Sequence, residues 1–172
     1  MASPALLDPN FERTVVLIAE HDDSGAMGVV LNRRSELAVG EAAPVLGEIV
    51  ESGAMVHEGG PVQPTSVVIL AQFHDAADAV VPVFGDVGFV SGEADFEALG
   101  ADLRRARVFA GLAGWSPGQL EAELERDDWV LEPALPDDVF SDEPDALWGA
   151  VLERKGGSFA LLARMPPDPS LN

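Results

Sequence analysis

The sequence predicts an α+β protein. Strand-length runs of β-branched and apolar residues recur along the chain, fewer segments show helical spacing, and the two kinds do not alternate as a doubly wound parallel sheet requires. The 172 residues suit one compact domain, and a chain of this size buries about 70% of the surface it exposes when unfolded. A hydrophobic fraction of 47% can fill such a core.

Residues 14–20 are β-branched and apolar, a strand of the continuous-run kind that is buried on both faces. His21-Asp22-Asp23-Ser24-Gly25 supplies turn residues, and 27–31 returns as a second strand, which makes a hairpin. A short helix is expected around 40–46. Further strands fall at 54–57, 67–71, 80–84 and 107–113, with a last one at 158–164. Pro82 confines 80–84 to an edge or a bulge, because proline brings no N–H to a ladder. Ser91 can cap a helix on which Phe96, Leu99 and Leu103 share a face, with Glu93 and Asp95 near its start and Arg104 and Arg105 near its end. A second helix covers 117–126. A third starts near Asp142, carries Leu147, Trp148, Val151 and Leu152 as an apolar stripe, and stops at Gly156-Gly157. The domain is placed at 1–165, and the tail 166–172, with three prolines among seven residues, reads as disordered.

Charge narrows the function classes. Thirty acidic side chains against ten basic ones leave a net charge of −20. Such a surface repels phosphate backbones and anionic membranes, so no direct nucleic-acid binding and no membrane association are expected. Between 121 and 145 stand eleven carboxylates and one arginine, Arg126, or −10 in 25 residues. This block reads as a solvated face with an acidic loop, and a cation- or Arg-binding surface is its rival. The absence of cysteine excludes disulfides, thiolate zinc sites, iron–sulfur clusters and cysteine nucleophiles. No basic region precedes an apolar core at the start, and the apolar runs 15–19 and 79–84 are far short of the roughly 20 residues of a membrane helix. The cytoplasm is the expected compartment.

Gly114-Trp115-Ser116-Pro117-Gly118 matches the G-x-S-x-G nucleophile elbow of α/β-hydrolases, and it follows a strand and opens a helix. Two physical requirements fail. The residue after the serine must donate its N–H to the oxyanion, and here it is Pro117, which has none. The triad also needs a histidine after the serine, yet His21, His57 and His74 all precede it. A structural reading accounts for the same residues: Ser116 as N-cap, Pro117 at the first helical position, Gln119 completing a capping box. The histidines, 36 and 17 residues apart, show no metal-ligand spacing, and no phosphate-binding glycine motif is present, so no metal or cofactor is assigned. His21 with Asp22 and Asp23 reads as a polar turn before a cation site. His57-Glu58-Gly59-Gly60-Pro61 reads as a rigid turn, with an anion-cradling backbone as the sharper alternative. Trp115 and Trp129 suit core packing first and a ligand contact second.

The chain resembles the AlgH/YqgE family of bacterial proteins. The first matching block runs from Ser3-Pro4-Ala5-Leu6-Leu7-Asp8-Pro9-Asn10-Phe11-Glu12-Arg13-Thr14 through Glu20-His21, Gly25-Ala26-Met27-Gly28 and Asn32-Arg33. Gly59-Gly60-Pro61-Val62-Gln63 is the second, and Ala113-Gly114-Trp115-Ser116-Pro117-Gly118-Gln119-Leu120-Glu121, followed by Trp129, is the third. The resemblance implies a bifurcated mixed sheet, partly closed into a small barrel and surrounded by helices. It brings the label of transcriptional regulator for some members and no common reaction. Two departures stand out: Arg34 replaces the usual proline after Asn-Arg, and the sequence begins where relatives usually have one more apolar strand.

The leading expectation is a non-enzymatic binding or regulatory module that acts through a protein partner or a small ligand. Its candidate residues are Asp8, Arg13, Glu20, His21, Asn32, Gly59, Gly60, Trp115 and Gln119, with Asp8, Arg13 and Glu20 equally readable as a structural ion-pair network. The rivals are an enzyme using His21 with nearby carboxylates as acid and base, and a regulator that binds DNA directly. No catalytic residue is assigned.

Overall fold

The structure, a computed structural model, describes residues 1–79 and 81–163. The tail 166–172 lies outside them. In chain order the elements are β1 (Val16–Asp22), β2 (Gly25–Val30), β3 (Arg34–Ala38), α1 (Val39–Ala42), a 3-10 turn (Pro44–Glu48), β4 (Met55–Glu58), β5 (Val62–Phe73), a second 3-10 turn (Ala76–Asp78), β6 (Val81–Phe84), β7 (Val87–Phe89), α2 (Phe96–Leu99), β8 (Leu103–Trp115), α3 (Gln119–Glu125), α4 (Pro136–Val139), α5 (Pro144–Lys155) and α6 (Ser158–Leu162).

The hairpin forms as expected but with a tighter turn. Asp22 pairs with Gly25, so His21 and Asp22 belong to β1 and the turn is Asp23-Ser24, pinned by the Ser24 N–H on the Asp22 carboxylate at 2.7 Å. The main sheet runs β1-β2-β8-β5-β7-β6. β4 joins β8 in parallel through His57 with Phe109 and Glu58 with Ala110, and it carries β3 on its other side. The 13-residue β8 is the trunk. β5 runs along it from Phe73 opposite Leu103 to Val62 opposite Leu112, whereas β2 takes over at Ala113 to Trp115. The sheet forks where β4 gives way to β2, beside Gly111 with its φ of 73°, and curls into a nearly closed barrel flanked by helices. Gly59 stitches the fork. Its N–H donates to the Ala110 carbonyl and its carbonyl accepts the Val30 N–H, both at 2.8 Å.

Strand alternation decides the core. On β5, Leu70 faces one cluster, with Phe109, Val87 and the α5 stripe of Leu147, Trp148, Val151 and Leu152. Its neighbours Ile69 and Ala71 face the other, with Phe73, Val108, Leu46 and Ile49. A strand covered on both faces therefore reads as one apolar run. Pro82 sits on β6, the outermost strand, next to a register shift before Phe84; Val80 lies outside the described residues.

Two expected elements are corrected. The helix from Ser91 through Leu103 is a single turn, α2, capped by Asp95, whose carboxylate accepts the Ala98 N–H at 3.2 Å. Leu103, Arg104 and Arg105 lie on β8, because Leu103 pairs with Phe73 and buries in the second cluster. Ser91 instead accepts the Glu93 N–H. The expected strand at 158–164 is the helix α6 through Leu162. Gly156 and Gly157, with φ of 77° and 58°, turn the chain after α5, and Phe159 and Ala163, four residues apart, meet the first cluster together. No helix among the described residues is long and apolar enough to cross a membrane.

Candidate functional site

β8 ends at Trp115, and the Ser116-Pro117-Gly118 turn launches α3. Half of the expected capping box forms. The Ser116 N–H donates to Gln119 Oε1 at 3.0 Å, but the Gln119 N–H goes to the Ser116 carbonyl, also at 3.0 Å, rather than to its hydroxyl. Gly118, left-handed at φ 74°, takes the cap position without a side-chain bond, and Pro117 lies ahead of the helix. Ser116→Ala is accordingly expected to change stability by less than about 0.5 kcal/mol, well under the usual cost of deleting a cap; a urea titration of both proteins checks this.

The corner is organised by a residue that sequence reasoning missed, Glu123. Its Oε2 accepts the indole N–H groups of Trp115 and Trp129, each at 2.8 Å, and its Oε1 accepts from Gln119 Nε2 at 2.9 Å. Burial works against the charge, but the bonds from Trp129, Gln119 and Trp115 outweigh it and hold the carboxyl below its ordinary range. Phe11 stacks on Trp115 at 5.8 Å and meets Trp129 edge-on at 5.5 Å. Both indoles are buried and belong to a core cluster.

The other sequence candidates fall in separate places. His21 on β1 reaches Glu121 on α3, with both side chains half-exposed, and Glu20 beside it is exposed. A bond to its own backbone, then the one to His21, lowers the Glu121 carboxyl. Asp8 accepts the Asn10 N–H in a turn. Arg13 lies over the Trp148 ring at 4.8 Å. The Asn32 amide clamps two chain segments, accepting from the Val15 N–H at 2.7 Å and donating to the Arg13 carbonyl at 2.9 Å. Gly59 and Gly60 lie at the fork, against Gly111 and Leu112. Thus Trp115, Gln119 and His21 surround α3, Asn32 and Arg13 share one clamp, and the glycines stand apart. Most of the acidic block is exposed, as a solvated face, and part of it is paired: Asp128 with Arg126, Asp137 with Arg105, and Glu132 and Asp138 with Arg154.

Two clefts open on this scaffold. The first, of about 250 Å³, is apolar and lies between Val16–Ile18 and the segment 129–134, with Trp115, Leu120 and Val151 in its lining. At its charged end Arg154 holds both oxygens of the buried Asp138 at 2.7 Å. Asp138 also accepts the Leu135 N–H, so this end is satisfied internally.

The second cleft, of about 290 Å³, is lined by Arg34 of β3, His57 of β4, Arg105 and Arg107 of β8 and the turn through Ser141 and Asp142, with Glu51 opposite. Arg105 bonds Gln72 and Asp137. Arg107 donates to the carbonyls of Val139 and Ser141 at 2.9 and 2.8 Å, and burial lowers its pKa. His57 is 4% exposed, its Nδ1 donates to the Met55 carbonyl at 3.2 Å, and its buried Nε2 has no partner among the described residues. Burial, then Arg107 and Arg34, push its pKa down to about 4. Arg105 and Arg107 share a face by strand alternation, a signal hidden in the sequence because Arg105 also fits the end of a helical pattern.

A pH test follows. His57 is neutral when folded and takes a proton on unfolding, so its contribution is complete above the unfolded pKa of 6.5 and is lost as pH falls toward 4. Between pH 7 and pH 5 this removes about 2 kcal/mol. Urea titrations should show that loss shrinking in His57→Phe; equal losses in both proteins would assign the slope to other groups.

The profile of the family described as AlgH-like matches residues 1–160. The chain belongs to the AlgH-like family. This AlgH-like protein is 42% identical over 178 residues to a UPF0301 protein of Streptomyces coelicolor, covering 100% of its own length and 92% of the relative's. A UPF0301 protein of Thermobifida fusca is 42% identical over 184 residues, with the same two coverages, 100% and 92%. Among solved structures, a Corynebacterium diphtheriae protein superposes with a TM-score of 0.89 at 34% identity, covering 96% of this chain and 89% of the other. The AlgH protein of Pseudomonas aeruginosa superposes at 0.72 and 31% identity, covering 96% and 91%. The AlgH-like fold and family are therefore established together.

Proposed function

We propose that this AlgH-like protein is a cytoplasmic, non-enzymatic binding module that takes an apolar group of a protein partner or small ligand into the cleft between β1 and the segment 129–134. The observation that carries this reading is the cleft itself. Its walls are apolar, it offers about 250 Å³, and its charged end is already closed by the Arg154–Asp138 pair. A site of that kind binds by burial of surface. The net charge of −20 supports a protein or small-molecule partner over DNA.

The neutral dye N-phenyl-1-naphthylamine tests it. Its emission should rise on binding, with energy transfer from Trp115 and Trp129 in the cleft lining. Ala134→Trp, which fills the cleft from a loop, should weaken the dye by about tenfold, the size of one buried-group contribution, with its melting temperature little changed. Equal dye affinity in the variant would place the binding surface elsewhere.

A further inference from the structure

The cleft around His57 is separate from the apolar one and has the opposite chemistry. The chain has ten basic residues among thirty acidic ones, yet three of the ten, Arg34, Arg105 and Arg107, line this one cavity. Glu51 and Asp142 line it as well, but neither forms an ion pair with an arginine among the described residues. Arg107 is oriented by two neutral carbonyls, and Asp142 and Glu51 act on its charge through space without an ion-pair contact. A guanidinium has five N–H groups, and these two bonds leave three for a ligand. Arg34 is exposed, and its side chain makes no hydrogen bond or ion pair among the described residues.

His57 specifies the anion further. Its Nδ1–H is spent on the Met55 carbonyl, so Nε2 is a lone-pair acceptor, enclosed and unpartnered. Buried polar atoms find partners, and this one lacks a donor. The ligand must therefore present acceptor oxygens to the arginines and one O–H to His57. A carboxylate or a sulfate has no such proton at neutral pH. A phosphate monoester, whose second pKa is about 6, keeps one on about half of its molecules at pH 6. We propose that this cleft binds the singly protonated phosphate group of a small phosphate monoester, its P–OH donating to His57 Nε2 and its remaining oxygens accepting from Arg34 and Arg107. The low pKa of His57 agrees with this arrangement, since the ring stays neutral and leaves the proton on the phosphate.

Calorimetric titration at pH 6 tests the proposal with four probes: inorganic phosphate, sulfate, glycerol phosphate and a phosphoserine peptide. Phosphate is expected to bind more tightly than sulfate by about tenfold, the worth of one buried hydrogen bond to a charged ligand. Glycerol phosphate should match or exceed inorganic phosphate. His57→Phe keeps the ring volume and removes the acceptor, so it should equalise phosphate and sulfate, whereas Arg34→Ala should weaken both by a similar factor. Should His57→Phe fail to fold, the phosphate-to-sulfate ratio of the unaltered protein still decides. Equal affinity for the two anions, or none for either, would overturn the site. A peptide that binds more tightly than glycerol phosphate would overturn the small-molecule source.

Discussion

Gly60→Ala is expected to cost more than about 4 kcal/mol, a loss reserved for substitutions that break a named structural feature. Gly60 has a φ of +146°, and an added Cβ would lie 2.4 Å from the carbonyl carbon of Leu112 and 2.5 Å from the nitrogen of Ala113. Those are main-chain atoms of the trunk strand, at the step where its pairing passes from Val62 to Gly28. The strand cannot yield without giving up ladder bonds on both sides. Gly118→Ala is the control: its φ is also positive, at 74°, but nothing lies within 4 Å of the new Cβ. Its cost should stay near 1 kcal/mol, the strain of a left-handed residue alone. Urea titrations of the three proteins separate the two terms. Similar losses in both variants would mean that the fork is soft and that conformation alone sets the cost.

Glu123→Ala should cost about 3 kcal/mol, because it strands two indole donors at roughly 1–3 kcal/mol for each buried group left unsatisfied. Trp115 and Trp129 are 6% and 8% exposed, so water cannot readily replace the carboxylate. Glu123→Gln keeps one carbonyl acceptor and should fall between the variant and the unaltered protein. The pH dependence has a definite sign. The folded carboxyl titrates below its unfolded value of 4.5, so its contribution is present above that pH and is lost as pH falls through the folded pKa. Glu123→Gln should therefore narrow the stability gap to the unaltered protein as the solution is acidified below 4.5. Tryptophan fluorescence during urea unfolding reads both effects, with the slope compared between variants. A loss under about 0.5 kcal/mol, the usual range for a surface change, would show that the indoles find other acceptors.

The parts of this fold that could be read from the chain are those set by local pattern. The hairpin of β1 and β2 follows from an apolar run, a turn and a second run, and α5 follows from its stripe and closing glycines. The misread parts are those where a distant contact chooses between two local options. Leu103 sits four residues after Leu99, which is helical spacing, yet Phe73 across the sheet draws it into β8. The polar β3 carries no alternation strong enough to announce itself and exists through its pairing with β4. The candidate site divides in the same way. Asn32, Gly59 and Gly60 recur in the family blocks and turn out to secure the backbone, whereas Glu123 and His57 act through atoms that only packing brings together. The basic cleft was invisible for a further reason: Arg34 lies more than seventy positions from Arg107 in a chain whose overall charge points the other way.

The forked trunk also bears on how the protein is made. β2 must wait for residues 113–115 before its second side is covered, and Gly28 meets Ala113 across 85 intervening steps of chain. During synthesis, at about 5–20 residues per second, the first hairpin is out of the ribosome for several seconds with an open flank. Pairings of such long range also close slowly once the chain is complete. The exposed flanks of β2 and β5 are then ready templates for a neighbouring nascent chain. Expression at low temperature or with abundant holdase chaperones should raise the yield of soluble protein, and variants that delay β8 should accumulate in aggregates before any loss of equilibrium stability is detectable.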